Sequence, residues 1–179
     1  MIFLADMDEQ AQTLAVAVAK RVVPALPVLA ERMGEAYWAE VPGYASLSED
    51  ARREPVAVSL DIIEVFFGAL ALGREPDVAD VSGLEEAGRR RLEMGVPLEG
   101  LHHAYRIVAR VVFQALVDTV EAGEDAAVRY IGARWIEFVD QAATRASTGY
   151  VRASPRPDPA SRSTPRGPDP STSRRGGRR

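Results

Sequence analysis

Residues 88–106, GRRRLEMGVPLEGLHHAYR, hold a helix end and a helix start in one short run, and their reading decides the fold. Gly95, after Met94, reads as a helix stop, because glycine takes the left-handed conformation that closes a helix without steric cost. Pro97 reads as the first residue of the next helix, where its missing N–H is not needed. The stretch therefore predicts a tight helix–helix corner.

The periodicity on both sides agrees. From Pro97 to about Val120, Leu98, Leu101, Tyr105, Val108, Val112, Ala115 and Leu116 fall on one side of a helix. Glu99, His103, Arg106, Arg110, Gln114, Asp118 and Glu121 fall on the other, at the three- and four-residue steps where charges pair along a helix. Before the corner, Ser82 and Glu85 have capping-box spacing and open a short helix running to Met94. Its Arg89, Arg90 and Arg91 read as an exposed basic face. Gly88 inside it costs about 0.5–1 kcal/mol relative to alanine, and reads as a close packing contact with another backbone or else as a weak spot in a short helix. After Gly123, a last helix from Glu124 to about Tyr150 offers Val128, Ile131, Trp135, Phe138, Ala142 and Ala146 to the core.

Upstream, Leu14, Val18, Val22, Leu26, Leu29, Met33 and Tyr37 mark one helical face between about Asp8 and Glu40, and Pro24 and Pro27 predict a kink or two consecutive helices there. Val41-Pro42-Gly43-Tyr44 is a turn by composition. Ser46 with Glu49 has capping-box spacing for the next helix, and Pro55 predicts that its regular part is delayed to Val56. Val56, Leu60, Ile63, Phe67 and Leu70, widened by Ile62, Val65 and Phe66, make that helix apolar over most of its circumference. Such a helix lies at the centre of a fold or in a dimer interface. Gly73 is its expected stop. No apolar alternation at period two persists, so the class is all-α, a five-helix bundle.

From Arg152 onward there is no Leu, Ile, Val, Met or aromatic residue, so residues 151–179 are expected to form a disordered tail behind a domain of residues 1–150. That tail carries eight arginines and two aspartates, which leaves the domain at −10 within a total of −4. So acidic a domain repels phosphates, which argues against direct DNA binding by the folded part, whereas the tail on its own could hold nucleic acid weakly at low salt. Cysteine is absent, which removes disulfides and thiolate chemistry. The first ten residues lack the basic start of a secretory signal, and no uninterrupted apolar run reaches membrane-span length. A cytoplasmic protein without membrane contact is the expectation.

The order VPGY at 41–44, GRRR at 88–91, GVPL at 95–98 and AYR at 104–106 resembles the amino-terminal (RsbRD-type) regulatory domain of actinobacterial PucR-type transcriptional regulators. That domain is related to stress-response co-antagonists, some of whose sensor domains are globin-like without haem. The resemblance implies a non-catalytic signal-input and dimerisation domain with a homodimer or a regulator protein as partner and an unknown effector. A globin-like arrangement of the helices is implied too. In such regulators a helix-turn-helix follows; none is read in these 179 residues, which suggests a truncated regulator or a stand-alone domain. A haem- or small-molecule-binding sensor and a stressosome-like interaction module are the alternatives. Self-association is expected through the apolar second or fourth helix.

No phosphate-cradling loop, metal-ligand cluster or nucleophile–base motif is read, so no catalytic residue, cofactor or metal is assigned. Gly88, Gly95, Pro97, Tyr105 and Arg106 are the residues that match the family, structural by default and candidate effector contacts otherwise. Tyr105 is expected to bury its ring and bond a buried acceptor. Arg106 is expected to pair with Glu85 or Glu86, or else to grip a carboxylate-bearing effector. His102 and His103 diverge by roughly 100° on a helix and cannot share a metal. His103 reads as a surface residue and His102 as a hydrogen-bonded core histidine with a low weight as a ligand contact; the family usually has leucine at the latter position.

Overall fold

The computed structural model describes residues 2–155, and within them the regular structure is all helical, with no strand. The expected first rod is broken as its prolines require. Helix α1 (Ile2–Val22) passes through a 3-10 turn at Val23–Ala25, which contains Pro24, into α2 (Leu26–Glu40). Then follow α3 (Glu49–Ala71), a 3-10 turn at Val78–Asp80 that the sequence did not announce, α4 (Leu84–Glu93), α5 (Leu98–Thr119) and α6 (Asp125–Ala153). Helix α6 runs three residues past the expected end at Tyr150, and the expected disordered tail lies outside the described residues save for its first few.

Two capping assignments are corrected. Helix α3 is capped by Ser48, whose hydroxyl accepts from the Ala51 N–H at 3.3 Å, because the Ser46 hydroxyl is taken by the Gly43 carbonyl at 2.9 Å. Helix α4 starts at Gly83 in the left-handed region (φ 72°), with no side-chain cap from Ser82. Pro55 does not delay α3 but sits buried inside it. Its ring removes the N–H that would have bonded the Ala51 carbonyl, and the helix carries on.

The predicted corner is present. Gly95 has φ 74°, its N–H donates to the Leu92 carbonyl at 2.9 Å, and the Val96 N–H reaches back to the Arg91 carbonyl at 2.9 Å. Pro97 stands one position earlier than expected, as the cap of α5 with extended backbone (ψ 153°), so the first helical residue is Leu98.

Helix α3 lies at the centre of the fold, where Ile62, Ile63, Phe66 and Phe67 are buried. Phe66 packs edge-on to Trp135 (centroids 4.9 Å) and to Phe138 (5.2 Å) of α6, aromatic geometry that stabilises beyond the area it buries. Ala15, Val18, Ala19, Val22, Leu26, Leu29, Ala30 and Met33 of α1 and α2 complete the core. By length and composition the stretch Glu9–Glu40 is apolar enough to cross a membrane, which the sequence reading missed. Part of that stretch is buried in the fold, against α3, α5 and α6.

The tightest crossing joins α4 and α6. A Cβ on Gly88 would overlap the Ala146 carbonyl oxygen and lie 2.7 Å from its carbon. One on Gly149 would overlap the Glu85 carbonyl oxygen and lie 2.5 Å from its carbon. The close approach predicted for Gly88 is therefore real, and Gly149 is its unforeseen counterpart.

Candidate functional site

The segments that carry the resemblance are far apart in sequence and meet in space. Gly43 of the VPGY turn faces the corner so closely that a Cβ there would stand 3.1 Å from Pro97 Cδ, and one on Gly100 would stand 2.7 Å from the Pro42 carbonyl oxygen. The Tyr150 hydroxyl donates to the Val96 carbonyl at 3.0 Å and ties α6 to the same corner.

Behind the corner lies a buried polar knot. Arg91, 3% exposed, donates from Nε to the Tyr44 hydroxyl at 2.8 Å and pairs with Glu54 of α3. It is not part of an exposed basic face. Only Arg89 and Arg90 are outward, held by Glu86 and, for Arg89, also by Glu93. Tyr37 and Ser59 share a hydrogen bond at 2.6 Å, and Ser59 also donates to the Pro55 carbonyl at 2.8 Å. A cavity of about 20 Å³ sits among these groups, walled by Tyr37, Tyr44, Ser59, Arg91 and Tyr105 among others. Burial pushes the hydroxyls of Tyr37, Tyr44 and Tyr105 up from the ordinary tyrosine value, opposed by the Arg91 charge. Burial works against the Arg91 charge too, but Tyr44 and Glu54 outweigh it and raise its pKa, so the guanidinium stays charged.

Tyr105 is buried as expected, yet its hydroxyl makes no hydrogen bond among the described residues. Its ring separates the knot from a second feature. Between α5 and α6 an open groove of about 780 Å³ is lined toward one end by Tyr105, Arg106, Ala109, Ile136, Val139 and Asp140. His102, Ser147, Val151 and Arg152 are among the residues that line the remainder. Ile136 is 63% and Val151 58% exposed, and Phe113 and Val117 continue the apolar line of α5 at four-residue steps beyond Ala109. Large apolar side chains gathered along one exposed face are the usual mark of a binding surface.

His102 belongs to this groove and not to the core. It is exposed, and its Nε2 shares a 2.9 Å hydrogen bond with the Ser147 hydroxyl. On a helical wheel it falls beside Leu98 and Tyr105, but the seam between α5 and α6 is open at that level. His103 is half-buried with Nε2 3.9 Å from Glu40, which Arg110 also reaches at 2.6 Å. The α5 charges therefore pair chiefly across helices, Gln114 with Asp118 at 2.9 Å being the exception along it. Arg106 does not pair with Glu85 or Glu86. Glu85 holds Arg152 at 2.6 Å, Glu86 holds Arg89 and Arg90, and Arg106 is exposed with no partner among the described residues. Asp140, on the facing helix, is exposed and unpaired in the same sense. Sequence reading missed Asp140, Ile136 and Gly149, although Ala142, Ala146 and Gly149 form a stripe of small residues along α6. Among the described residues no group of three or more His, Asp or Glu could hold a metal ion.

Fold and groove together define the class, an all-α domain with one apolar face left open. More particularly, the chain belongs to the family described as the RsbT co-antagonist protein rsbRD N-terminal domain, a regulatory domain family whose model matches residues 27–178. The match begins in α2 and takes in the corner, the knot and the groove. Comparison with curated proteins and with solved structures finds no match.

Proposed function

We propose that the chain is a non-catalytic, cytoplasmic signal-input and dimerisation module of a PucR-like transcriptional regulator, with a folded domain that makes no direct DNA contact. The carrying observation is the open apolar face of α5 and α6. Family membership and the order of the four motifs support a regulatory role, and the exposed Phe113, Val117, Ile136 and Val151 give the α5–α6 side an apolar surface for self-association. Light scattering tests it: at tens of micromolar the 19.4 kDa chain should run at twice that mass. A monomer that also fails to bind a PucR-type regulator carrying its own helix-turn-helix removes the reading.

A second reading is favoured by the groove itself. Its volume of about 780 Å³ is that of a small-molecule pocket, and Arg106 offers an anchor for a carboxylate. In that reading the module senses an amphiphilic carboxylate. Thermal shift across a panel of aliphatic and aromatic carboxylates tests it, and an unchanged melting temperature throughout rejects it. A haem-binding version predicts a Soret band on titration, although His102 Nε2 is already engaged by Ser147.

A further inference from the structure

The groove carries one unpaired charge of each sign. Arg106 projects from α5 and Asp140 from α6, and both line the groove without a partner among the described residues. The other charged or titratable groups beside them are engaged, Arg152 by Glu85 and His102 by Ser147. A free cation alone would select an acidic partner and a free carboxylate alone a basic one. One of each on a single apolar face is self-complementary, the pattern that a two-fold interface requires.

Two hydrogen bonds fix the register of the helices. His102 meets Ser147 at 2.9 Å, and the Trp135 Nε1–H donates to the Ala109 carbonyl at 3.2 Å. Arg106 and Asp140 both fall between these rungs, so they stand at similar levels on opposite banks. A two-fold axis running along the groove lays α5 of one copy over α6 of the other and brings each Arg106 to an Asp140. An axis running across the groove at the same level lays α5 on α5 and sets arginine against arginine, which is repulsive. The charges therefore discriminate between the two ways of closing the face.

Resting on the self-association reading above, we propose that the α5–α6 face closes on a second copy of the chain about an axis along the groove. Arg106 then pairs with the partner's Asp140 on both sides of a four-helix bundle. Ile136, Val151, Phe113 and Val117 supply the apolar contact.

Charge exchange tests this on the full chain. Sedimentation equilibrium is run on the wild type, R106D, D140R and the double variant R106D/D140R, with circular dichroism to confirm that each is folded. Each single variant sets two like charges face to face at two places in the dimer and should weaken dimerisation by about tenfold or more. The double variant restores opposite charges and should return to within roughly threefold of the wild type. A wild-type dimer whose single variants associate equally well, or whose double variant is not restored, overturns the pairing and leaves dimerisation standing. A wild type monomeric at ~50 μM, well above the micromolar dissociation constants of ordinary complexes, overturns both and gives the groove to another occupant.

Discussion

Helix α6 has two seams, and they are opposites. Against α4 it is sealed backbone to backbone, with Gly88 on Ala146 and Gly149 on Glu85 and no room for a Cβ. Against α5 it is held at two rungs, His102 with Ser147 and Trp135 with Ala109, and stays open between them. The difference is one of residue size and charge. Glycines at both contact points let α4 and α6 touch, whereas Tyr105, Val139 and the exposed Ile136, Arg106 and Asp140 line an open groove between α5 and α6. One seam is closed along its glycines and the other leaves a groove open to solvent.

The contrast can be broken from the sealed side first. Gly88→Ala should cost more than the roughly 4 kcal/mol that marks exceptional substitutions, because the obstacle is a backbone carbonyl and not a movable side chain. The expected reading is a melting temperature lower by on the order of 10 °C, or no folded protein, by circular dichroism. A loss below ~1 kcal/mol would mean that the seam is looser than described. Next, Glu54→Ala strands the buried Arg91 and should cost about 3 kcal/mol in urea unfolding. Tyr37→Phe removes one buried hydrogen bond while Ser59 keeps Pro55, and should cost about 1 kcal/mol by the same measurement.

The open side should respond in the reverse sense. Ile136→Asp should change unfolding stability by less than about 0.5 kcal/mol, as for a solvent-facing site, while abolishing self-association in light scattering. If it destabilised the fold instead, the two seams would not be distinct. The smallest effect is acidic. Arg89 and then Arg90 lower the Glu86 carboxyl to about 2 from an ordinary 4.5. The unfolded chain therefore takes up this proton first, and the contribution of Glu86, complete above pH 4.5, is lost as pH falls toward 2. Glu86→Gln should lower the melting temperature slightly at pH 7, where that contribution is complete, and the difference from the wild type should shrink as pH falls from 4.5 toward 2.

What the sequence revealed follows from what each residue can say alone. Gly73, Gly95, Gly123, Pro24 and the VPGY turn announce breaks because backbone freedom and a missing N–H are local properties. The class and the helices were legible for that reason. Ser46 and Ser48 compete for one cap with similar local spacing, and only the turn geometry at Gly43 decides between them. Arg91 read as surface because its partner Glu54 lies 37 residues away, and periodicity does not say which neighbour covers a helix face. His102 failed for the converse reason, since it points the right way but nothing covers it. Arg106 and Asp140 could not have been linked in advance, because the register of α5 on α6 depends on bonds between distant residues.

Tyr105 is a single ring with an aqueous side and a dry side. Whatever covers the groove must press on it, and its far face is already in the company of Tyr44 and Arg91. The domain thus has a membrane in miniature, one aromatic layer thick, between what happens outside and the charge that locks α4 to α3. Its ultraviolet absorbance and ring-proton shifts would register a guest at the surface without any label.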